Sequence, residues 1–354
     1  MPDPNNSNRD PVPPIERNED LPRGGAAATQ SAAVPVAQPR NFPLGVVFLG
    51  PNGLRAGWRL SLFLFIAASL YLLLAGLIQH FAPRPQGGAG TTPAGMLFDE
   101  GLPFLAAWLS AAVMARLEKR SLADYALPGR SAFGRGFWQG VVWGFVALTL
   151  LLLMIRAAHD FDFGAAALSG TSLLSYAAIW AIAFLGVGFC EEFLFRGYAL
   201  YTLTTGMGFW PSAVLLSALF GAMHLGNAGE SRVGVLMAGL IGLFFCFTVR
   251  RTGSLWFAIG LHAMWDYSES FIYSVPDSGA MVKGHLLNSS FHGPDWITGG
   301  SVGPEGSWLV FVIIAAMFVV FDRLHRDVRF PLPESSQSSV FSSQASVVVV
   351  RSQL

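Results

Sequence analysis

Three short patterns of ionisable residues interrupt otherwise apolar stretches of this sequence, and each contains residue types that can move protons. Carboxylates and histidines act together in general acid–base catalysis, and the same side chains bind zinc. An ionisable group within a membrane-spanning helix costs about 2.5–3.5 kcal/mol on insertion scales, so it is a functional-site candidate by default. The three patterns are Glu191-Glu192-x-x-x-Arg196, Phe220-x-x-x-His224 and His262-x-x-x-Asp266.

The composition indicates that membrane helices must position these residues. Hydrophobic residues make up 53% of the 354 residues and charged residues 12%, whereas an ordinary soluble domain carries about 25% charged residues. Mean hydropathy is +0.49. Basic and acidic residues number 22 each, so the chain has no excess of positive charge for nucleic acid. These values argue against a soluble globular enzyme and against a nucleic-acid partner, and they predict a polytopic membrane protein.

A membrane helix needs about 20 mostly apolar residues, and eight stretches of the sequence qualify. We therefore predict an all-α, polytopic membrane helix bundle of about eight transmembrane helices over residues 56–326. The Pro-rich segment 1–55, which has almost no large apolar residues before position 44, and the Ser- and Gln-rich segment 327–354 are predicted to be disordered tails. The eight stretches are roughly 59–80, 97–115, 137–156, 173–203, 209–229, 233–250, 254–274 and 307–322.

The basic residues between these stretches indicate an orientation, because cytoplasmic loops carry an excess of Lys and Arg. With eight spans and a cytoplasmic N-terminus, 17 basic residues fall inside and 4 outside, with Arg196 set aside as intramembrane. We therefore predict an integral, multi-pass protein with both termini in the cytoplasm, in the plasma membrane of a prokaryote.

The spacing of the patterns places them at one depth in the membrane. Gly206-Met207-Gly208 is the tightest turn signal between the fourth and fifth stretches, with Glu191 17 residues before Gly208 and His224 16 residues after it. Equidistant positions of an antiparallel helical hairpin lie at the same depth. His262 is about 12 Å along the seventh helix if that helix starts near Ser254. Three helices are therefore expected to bring polar groups together.

Helical phase suggests how these groups divide their roles. Residues four apart share a helix face, so Asp266 is expected to accept from one ring nitrogen of His262 and to fix its tautomer. By the same spacing, Glu192 should pair with Arg196 and support the site structurally. Glu191 is turned about 100° away on the helix and has no such partner, so it is the candidate for chemistry.

The charge of the predicted cluster leaves its cofactor open. Two glutamates, one aspartate and one arginine give a formal charge of −2 when the histidines are neutral. Shared protons, protonated histidine, water or a divalent cation must compensate this charge in a dry site. The residue types fit zinc, and they fit equally well a water molecule held by glutamate and histidine.

The three patterns, in this order, resemble the signature of the CPBP family, which comprises the type II CAAX prenyl endopeptidases and the bacterial proteins once called Abi. The resemblance covers about residues 170–275, and Asp266 stands where the prenyl proteases usually carry Asn. It implies an intramembrane endopeptidase acting on a peptide or lipidated protein, such as a prenylated CAAX tail. Members are often labelled metalloproteases, although a metal-independent glutamate mechanism is argued for the prenyl protease branch.

In such a protease, Glu191 with His224 would deprotonate the attacking water, and His262 with Asp266 would stabilise the oxyanion. Alternatively, Glu191 and the two histidines would hold one divalent metal such as zinc. The cavity is expected to open on the cytoplasmic side, near Gly206. Two other classes compete with this interpretation, a non-proteolytic membrane scaffold or peptide-immunity protein and a transporter, although the sequence shows no inverted repeat typical of transporters.

Overall fold

The computed structural model describes residues 45–50, 53–81, 92–227 and 229–330, and most of the described chain is helical. The α-helices are α1 Gly45–Phe48, α2 Ala56–Phe81, α3 Pro93–Leu117, α4 Arg135–Ala157, α5 Gly170–Arg196, α6 Tyr198–Met207, α7 Phe209–Met223, α8 Arg232–Thr252, α9 Trp256–Asp266, α10 Asp295–Thr298 and α11 Val310–Leu324. The strands are β1 Leu49–Gly50, β2 Gly53–Leu54, β3 Phe161–Asp162 and β4 Ser290–Phe291, which form two antiparallel pairs. The predicted all-α bundle is confirmed, and most of the two predicted tails lies outside the described residues.

Six helices of the described chain are long and apolar enough to cross a membrane. They correspond to the first six predicted spans, with α5 and α6 together forming the fourth. The helices at the last two predicted spans are too short to be counted among these six. α9 ends at Asp266 and continues only as a π-helix over Tyr267–Ile272, and α11 has 15 residues. The chain is an integral multi-pass membrane protein, whereas the count of eight spans stays a prediction.

Side-chain caps set the starts of two helices near the site. Thr92 precedes α3, and its hydroxyl accepts from the backbone nitrogen of Gly95, with Pro93 at the first helical position. Ser231 caps α8 in the same way by accepting from Gly234. These bonds satisfy backbone donors that have no partner inside a helix. They therefore help to determine the residues at which α3 and α8 begin.

The fourth predicted span is not one continuous helix. α5 ends at Arg196 and α6 begins at Tyr198, because Gly197 leaves the helical conformation with ψ at −114°. A Cβ on Gly197 would lie 2.5 Å from the carbonyl oxygen of Phe193, so this close approach needs glycine. The expected turn into α7 is present at Gly208, whose φ of +83° favours glycine.

The helices alternate in direction and define two ends of the bundle. We call one end the basic face; α2, α4, α7 and α9 begin there, and α3, α6, α8 and α11 end there. Contacts across the helices close this end. Arg59 of α2 bonds Glu118 beyond α3, and the backbone nitrogen of Leu255 before α9 donates to Ala126 at 2.7 Å.

We call the opposite end the loop face, which is formed by the segments 158–169, 224–231 and 273–309. β3 and β4 join the first of these segments to the third. The Ser301 hydroxyl joins the third to the second by donating to the Gly229 carbonyl at 3.1 Å. The long segment after α9 is thus folded onto the ends of the neighbouring helices.

Small residues hold α9 tightly between α4 and α5. Gly140 and Gly144 of α4 pack directly on the α9 backbone, where a Cβ would overlap the carbonyl oxygens of Phe257 and Leu261. On the other side, a Cβ on Gly188 of α5 would lie 3.0 Å from the carbonyl oxygen of Ile259. Such residues let helix backbones approach closely in a membrane. The position of α9 between two helices determines where its polar residues lie.

The network around Glu118 should contribute strongly to stability. Its carboxylate accepts from Arg59 Nε at 2.9 Å and from the Tyr198 hydroxyl at 2.5 Å, and both charged side chains are largely buried. We expect Glu118→Ala to lower the free energy of unfolding by about 1.5–3 kcal/mol, the range for hydrogen bonds to charged groups. The melting temperature of the detergent-solubilised protein measures this change.

A matched control is Asp162→Ala, which removes the exposed contacts with Arg156 and His292 on the loop face. Exposed ion pairs are worth at most about 1 kcal/mol, so this variant should melt close to the parent protein. An equal loss in both variants would contradict the role assigned to the Glu118 network.

Candidate active site

His262 of α9 lies at the centre of a carboxylate cluster that joins α5 to α9. Its Nδ1 is 2.8 Å from Glu192 Oε1, while its Nε2 is 3.7 Å from Glu191 Oε2 and 3.6 Å from Asp266 Oδ2. Because a carboxylate only accepts, the Nδ1 hydrogen is donated to Glu192. The other ring nitrogen is left between the two remaining carboxylates.

The expectation that Asp266 fixes the tautomer of His262 is wrong. Glu192 makes the short bond, and Asp266 lies beyond hydrogen-bonding distance on the opposite side of the ring. The spacing of four residues does bring Asp266 near the imidazole. The rotation of the ring, however, is determined by α5, which packs across from it and supplies the stronger acceptor.

The predicted Glu192–Arg196 pair is confirmed, with 3.1 Å between Glu192 Oε1 and Arg196 Nη1 and both side chains fully buried. The same oxygen also accepts from His262. Glu192 therefore does more than the predicted structural support, because it connects the buried arginine to the histidine of α9.

Aromatic rings and one glycine enclose the Arg196 guanidinium. Its Cζ lies 4.2 Å from the centre of the Phe220 ring and 5.4 Å from that of Phe245, distances at which a cation is attracted to a ring face. A Cβ on Gly242 of α8 would lie 2.6 Å from Nη2, so a small residue is needed there. Phe220, the first residue of the second pattern, thus has a structural role beside the site.

Glu191 and His224 are the more accessible members of the patterns. The Glu191 side chain is 27% exposed, compared with none of Glu192. His224 directly follows α7, and its Nδ1 hydrogen is donated to the Phe220 carbonyl at 2.9 Å. Its Nε2 can therefore accept a hydrogen bond. In the described part of the chain, no hydrogen bond or ion pair joins Glu191 directly to His224, so a water molecule would have to connect them.

Glu191, His224, His262 and Asp266 line one cavity of about 430 Å³. The predicted convergence of the three patterns is therefore seen in the structure. The cavity runs from His262 to the loop face, where Asn227, Ser278 and Ala280 are among its lining residues.

The expectation that the cavity opens near Gly206 is wrong. Among the described residues, none between 200 and 219 lines the cavity. Contacts of Glu118 and Leu255 join helix ends at the basic face, whereas residues of the loop face line the cavity. The position of a turn in the sequence does not reveal at which end of a bundle the helices separate.

Five acidic residues near the site are not among the residues predicted from the sequence. Asp99 and Glu100 of α3 line the cavity, as do Asp277 and Glu305 of the loop face, and Glu269 lies fully buried behind them. Three of the five fall within predicted spans, so the rule that marks intramembrane charges as candidates could have found them. Asp277 and Glu305 come from a loop whose folding the sequence pattern does not predict. Burial, and then the neighbouring Glu305, raise the pKa of Asp277 to about 8.

The structure does not present the predicted metal ligands to a single ion. Ligand atoms that share one metal must lie within a few ångströms of each other. Among the described residues, those of Glu191, His224 and His262 do not gather in this way, whereas one oxygen each of Glu269, Asp277 and Glu305 lie within 4.8 Å of one another. A metal held by Glu191, His224 and His262 and a water molecule held by the same side chains therefore both stay predictions.

Comparison with known proteins places these residues in one matched segment. Residues 173–268 match the family model described as type II CAAX prenyl endopeptidase Rce1-like, and this segment contains all six predicted site residues. No curated protein and no solved structure matches the chain. The resemblance predicted from the three patterns is thus confirmed for this segment: residues 173–268 are similar to the type II CAAX prenyl endopeptidase Rce1-like family.

Proposed function

We propose that this chain is an intramembrane endopeptidase that hydrolyses a peptide bond of a membrane-associated protein or peptide. The observation that carries the proposal is the convergence of Glu191 and Asp266 on the same nitrogen of His262, in a cavity to which the segment matched by the Rce1-like model contributes these residues. A carboxylate open to a cavity and a histidine held by a second, buried carboxylate are the parts that general base catalysis needs.

In the first step, Glu191 takes a proton from a water molecule, and Nε2 of His224 accepts a hydrogen bond from the same water. The water oxygen forms a bond to the carbonyl carbon of the substrate, and the π electrons of the carbonyl move to its oxygen. His262, protonated on both nitrogens, donates from Nε2 to this oxyanion. Glu192 keeps the other nitrogen bonded and the ring in place.

In the second step, the carbon–nitrogen bond breaks as the oxyanion returns its electrons to the carbonyl. Glu191 gives the proton it took to the departing nitrogen, so the products are a carboxylic acid and an amine. Asp266 balances the charge of the imidazolium between the two steps. Arg196 neutralises Glu192, so Glu192, Arg196, His262 and Asp266 together carry no net charge.

The proposal includes the predicted orientation, with the basic face in the cytoplasm, and the plasma membrane of a prokaryote as the location. Side chains carry both steps of the water chemistry, so activity should persist after chelator treatment. The description of the matched family suggests prenylated CAAX tails as one substrate type. Other membrane-associated peptides would contact the same catalytic side chains.

Comparative terminal proteomics tests the proposal. Membranes from cells that express the parent protein should contain peptide termini that are absent with Glu191→Gln at equal protein levels. Asp162→Asn, an exposed change on the loop face, serves as the control and should leave these termini in place. Identical termini with the parent protein and with Glu191→Gln would instead favour the scaffold or immunity protein.

A further inference from the structure

The accessible end of the cavity lies on the loop face. Its polar lining includes Asp99 near the start of α3, Asn227 after α7, and Asp277, Ser278 and Glu305 of the segment 273–309. A peptide that approached from the basic face would instead meet the closed contacts between Arg59, Glu118 and Tyr198. The direction from which a substrate arrives is therefore determined by which face is cytoplasmic.

The distribution of basic residues decides between the two faces. In the described chain, twelve Lys and Arg residues lie at or beyond the helix ends of the basic face, and three lie at the loop face. Those of the basic face are Arg55, Arg59, Arg116, Lys119, Arg120, Arg130, Arg135, Arg250, Arg251, Arg323, Arg326 and Arg329. Those of the loop face are Arg156, Arg232 and Lys283. Because short loops rich in Lys and Arg stay in the cytoplasm, the loop face lies on the other side of the membrane.

The cavity is also strongly acidic. Its lining contains six carboxylic acids and two histidines, and no lysine or arginine is among the described lining residues. The acids are Asp99, Glu100, Glu191, Asp266, Asp277 and Glu305. Asp277 is largely protonated at neutral pH because its pKa is raised to about 8, and Asp266 lies beside the imidazole of His262. Asp99, Glu191 and Glu305 still give the lining an excess of acidic over basic groups. A cleft lined by one sign of charge with low-dielectric walls concentrates ligands of the opposite sign.

From these observations we infer that the cavity takes its substrate from the extracytoplasmic side of the membrane and selects a peptide segment that carries Lys or Arg. The inference rests on the proposed peptidase function for its substrate, and on the fold together with the distribution of basic residues for its direction. It implies that the cleaved segments are exposed outside the cytoplasm, in contrast to the cytoplasmic opening expected from the sequence. Of the substrate types named above, it therefore favours other membrane-associated peptides over prenylated CAAX tails, which lie on the cytoplasmic side.

Thiol labelling of intact cells of a bacterial host tests direction and charge without any substrate. Ser278→Cys places a thiol in the cavity lining, Met281→Cys an exposed thiol nearby on the loop face, and Ser131→Cys one on the basic face. The native Cys190 and Cys246 are 3% and 0% exposed and provide the background. The probes are cationic methanethiosulfonate ethyltrimethylammonium and anionic methanethiosulfonate ethylsulfonate, which do not cross a bilayer.

We expect both loop-face thiols to react in intact cells and Ser131→Cys to react only after lysis. The cationic reagent should be favoured at Ser278→Cys over Met281→Cys by about tenfold or more, and salt should reduce this preference. Labelling of Ser131→Cys alone in intact cells would overturn the direction. An equal charge preference at the two loop-face thiols would overturn the selectivity.

Quenched peptides separate this inference from the proposed function. A peptide with Lys on both sides of the scissile region is compared with one carrying Glu at the same positions, in detergent and outside intact cells. We expect Glu191-dependent cleavage in both settings, faster for the Lys peptide by about tenfold or more. Cleavage of the Lys peptide in detergent but not outside intact cells would refute the inferred direction and leave the peptidase standing. Cleavage of neither peptide by solubilised protein, with the labelling pattern as expected, would refute the peptidase and leave the direction of the cavity standing.

Discussion

Glu191→Gln should give a folded, normally inserted protein whose turnover is lower by about 10²–10⁴-fold, the usual contribution of a general base. The amide keeps the shape of the side chain but cannot take a proton from water. Glu191 is partly exposed to the cavity and forms no hydrogen bond that closes the fold among the described residues. The melting temperature of the Glu191→Gln variant in detergent should therefore stay near that of the parent protein, while its cleavage activity is lost.

The adjacent residue should behave differently. Glu192→Gln leaves Arg196 charged and unpaired in a fully buried position, which costs about 3–5 kcal/mol of unfolding free energy when a buried pair is broken. The carbonyl oxygen of the new amide can still accept from His262, so the ring keeps its partner. The main expected change is consequently a large fall in melting temperature or yield.

Combining Glu192→Gln with Arg196→Met is the control for this assignment, because it removes the lone charge. Methionine also fits the apolar surroundings formed by Phe220 and Phe245. The double variant should regain part of the lost stability. Equal loss of activity with unchanged stability in both single glutamate variants would mean that the two carboxylates act as one unit rather than dividing chemistry from support.

Gly144→Ala should damage the site from outside the cavity. Its new Cβ would overlap the carbonyl oxygen of Leu261 and lie 3.0 Å from the backbone nitrogen of Trp265. Backbone atoms cannot turn aside, so α4 and α9 must separate. Overpacking of this kind costs about 1–3 kcal/mol. Because His262 directly follows Leu261, its ring moves relative to Glu191, and a shift of about 1 Å can cost 10²-fold in rate.

Gly136→Ala is the matched control on the same helix. Nothing lies within 4 Å of a Cβ built at this position, and alanine favours a helix over glycine by up to about 1 kcal/mol. This variant should therefore melt at or above the temperature of the parent protein and keep its activity. If Gly144→Ala also kept the melting temperature and the activity of the parent protein, the close approach of α4 to α9 would not be needed for the site.

The sequence predicted the features that depend on neighbours along one helix or on one turn. Apolar stretches of sufficient length have to be helices in a membrane, since every backbone polar group must be satisfied within the segment. A spacing of four residues placed Glu192 beside Arg196, because side chains four apart share a helix face. The turn at Gly208 brought Glu191 and His224 to one cavity, because a helical hairpin returns at a constant rise per residue.

What the sequence left undetermined depends on how the helices rotate and approach each other. The bond from His262 to Glu192 joins residues 70 positions apart, and it depends on the rotations of α5 and α9 about their axes. Asp99, Asp277 and Glu305 reach the cavity because α3 packs beside α5 and the segment 273–309 folds over the ends of other helices. The direction in which the cavity opens depends on which helix ends lie apart and which are joined by contacts. These contacts form between residues that are distant in the sequence.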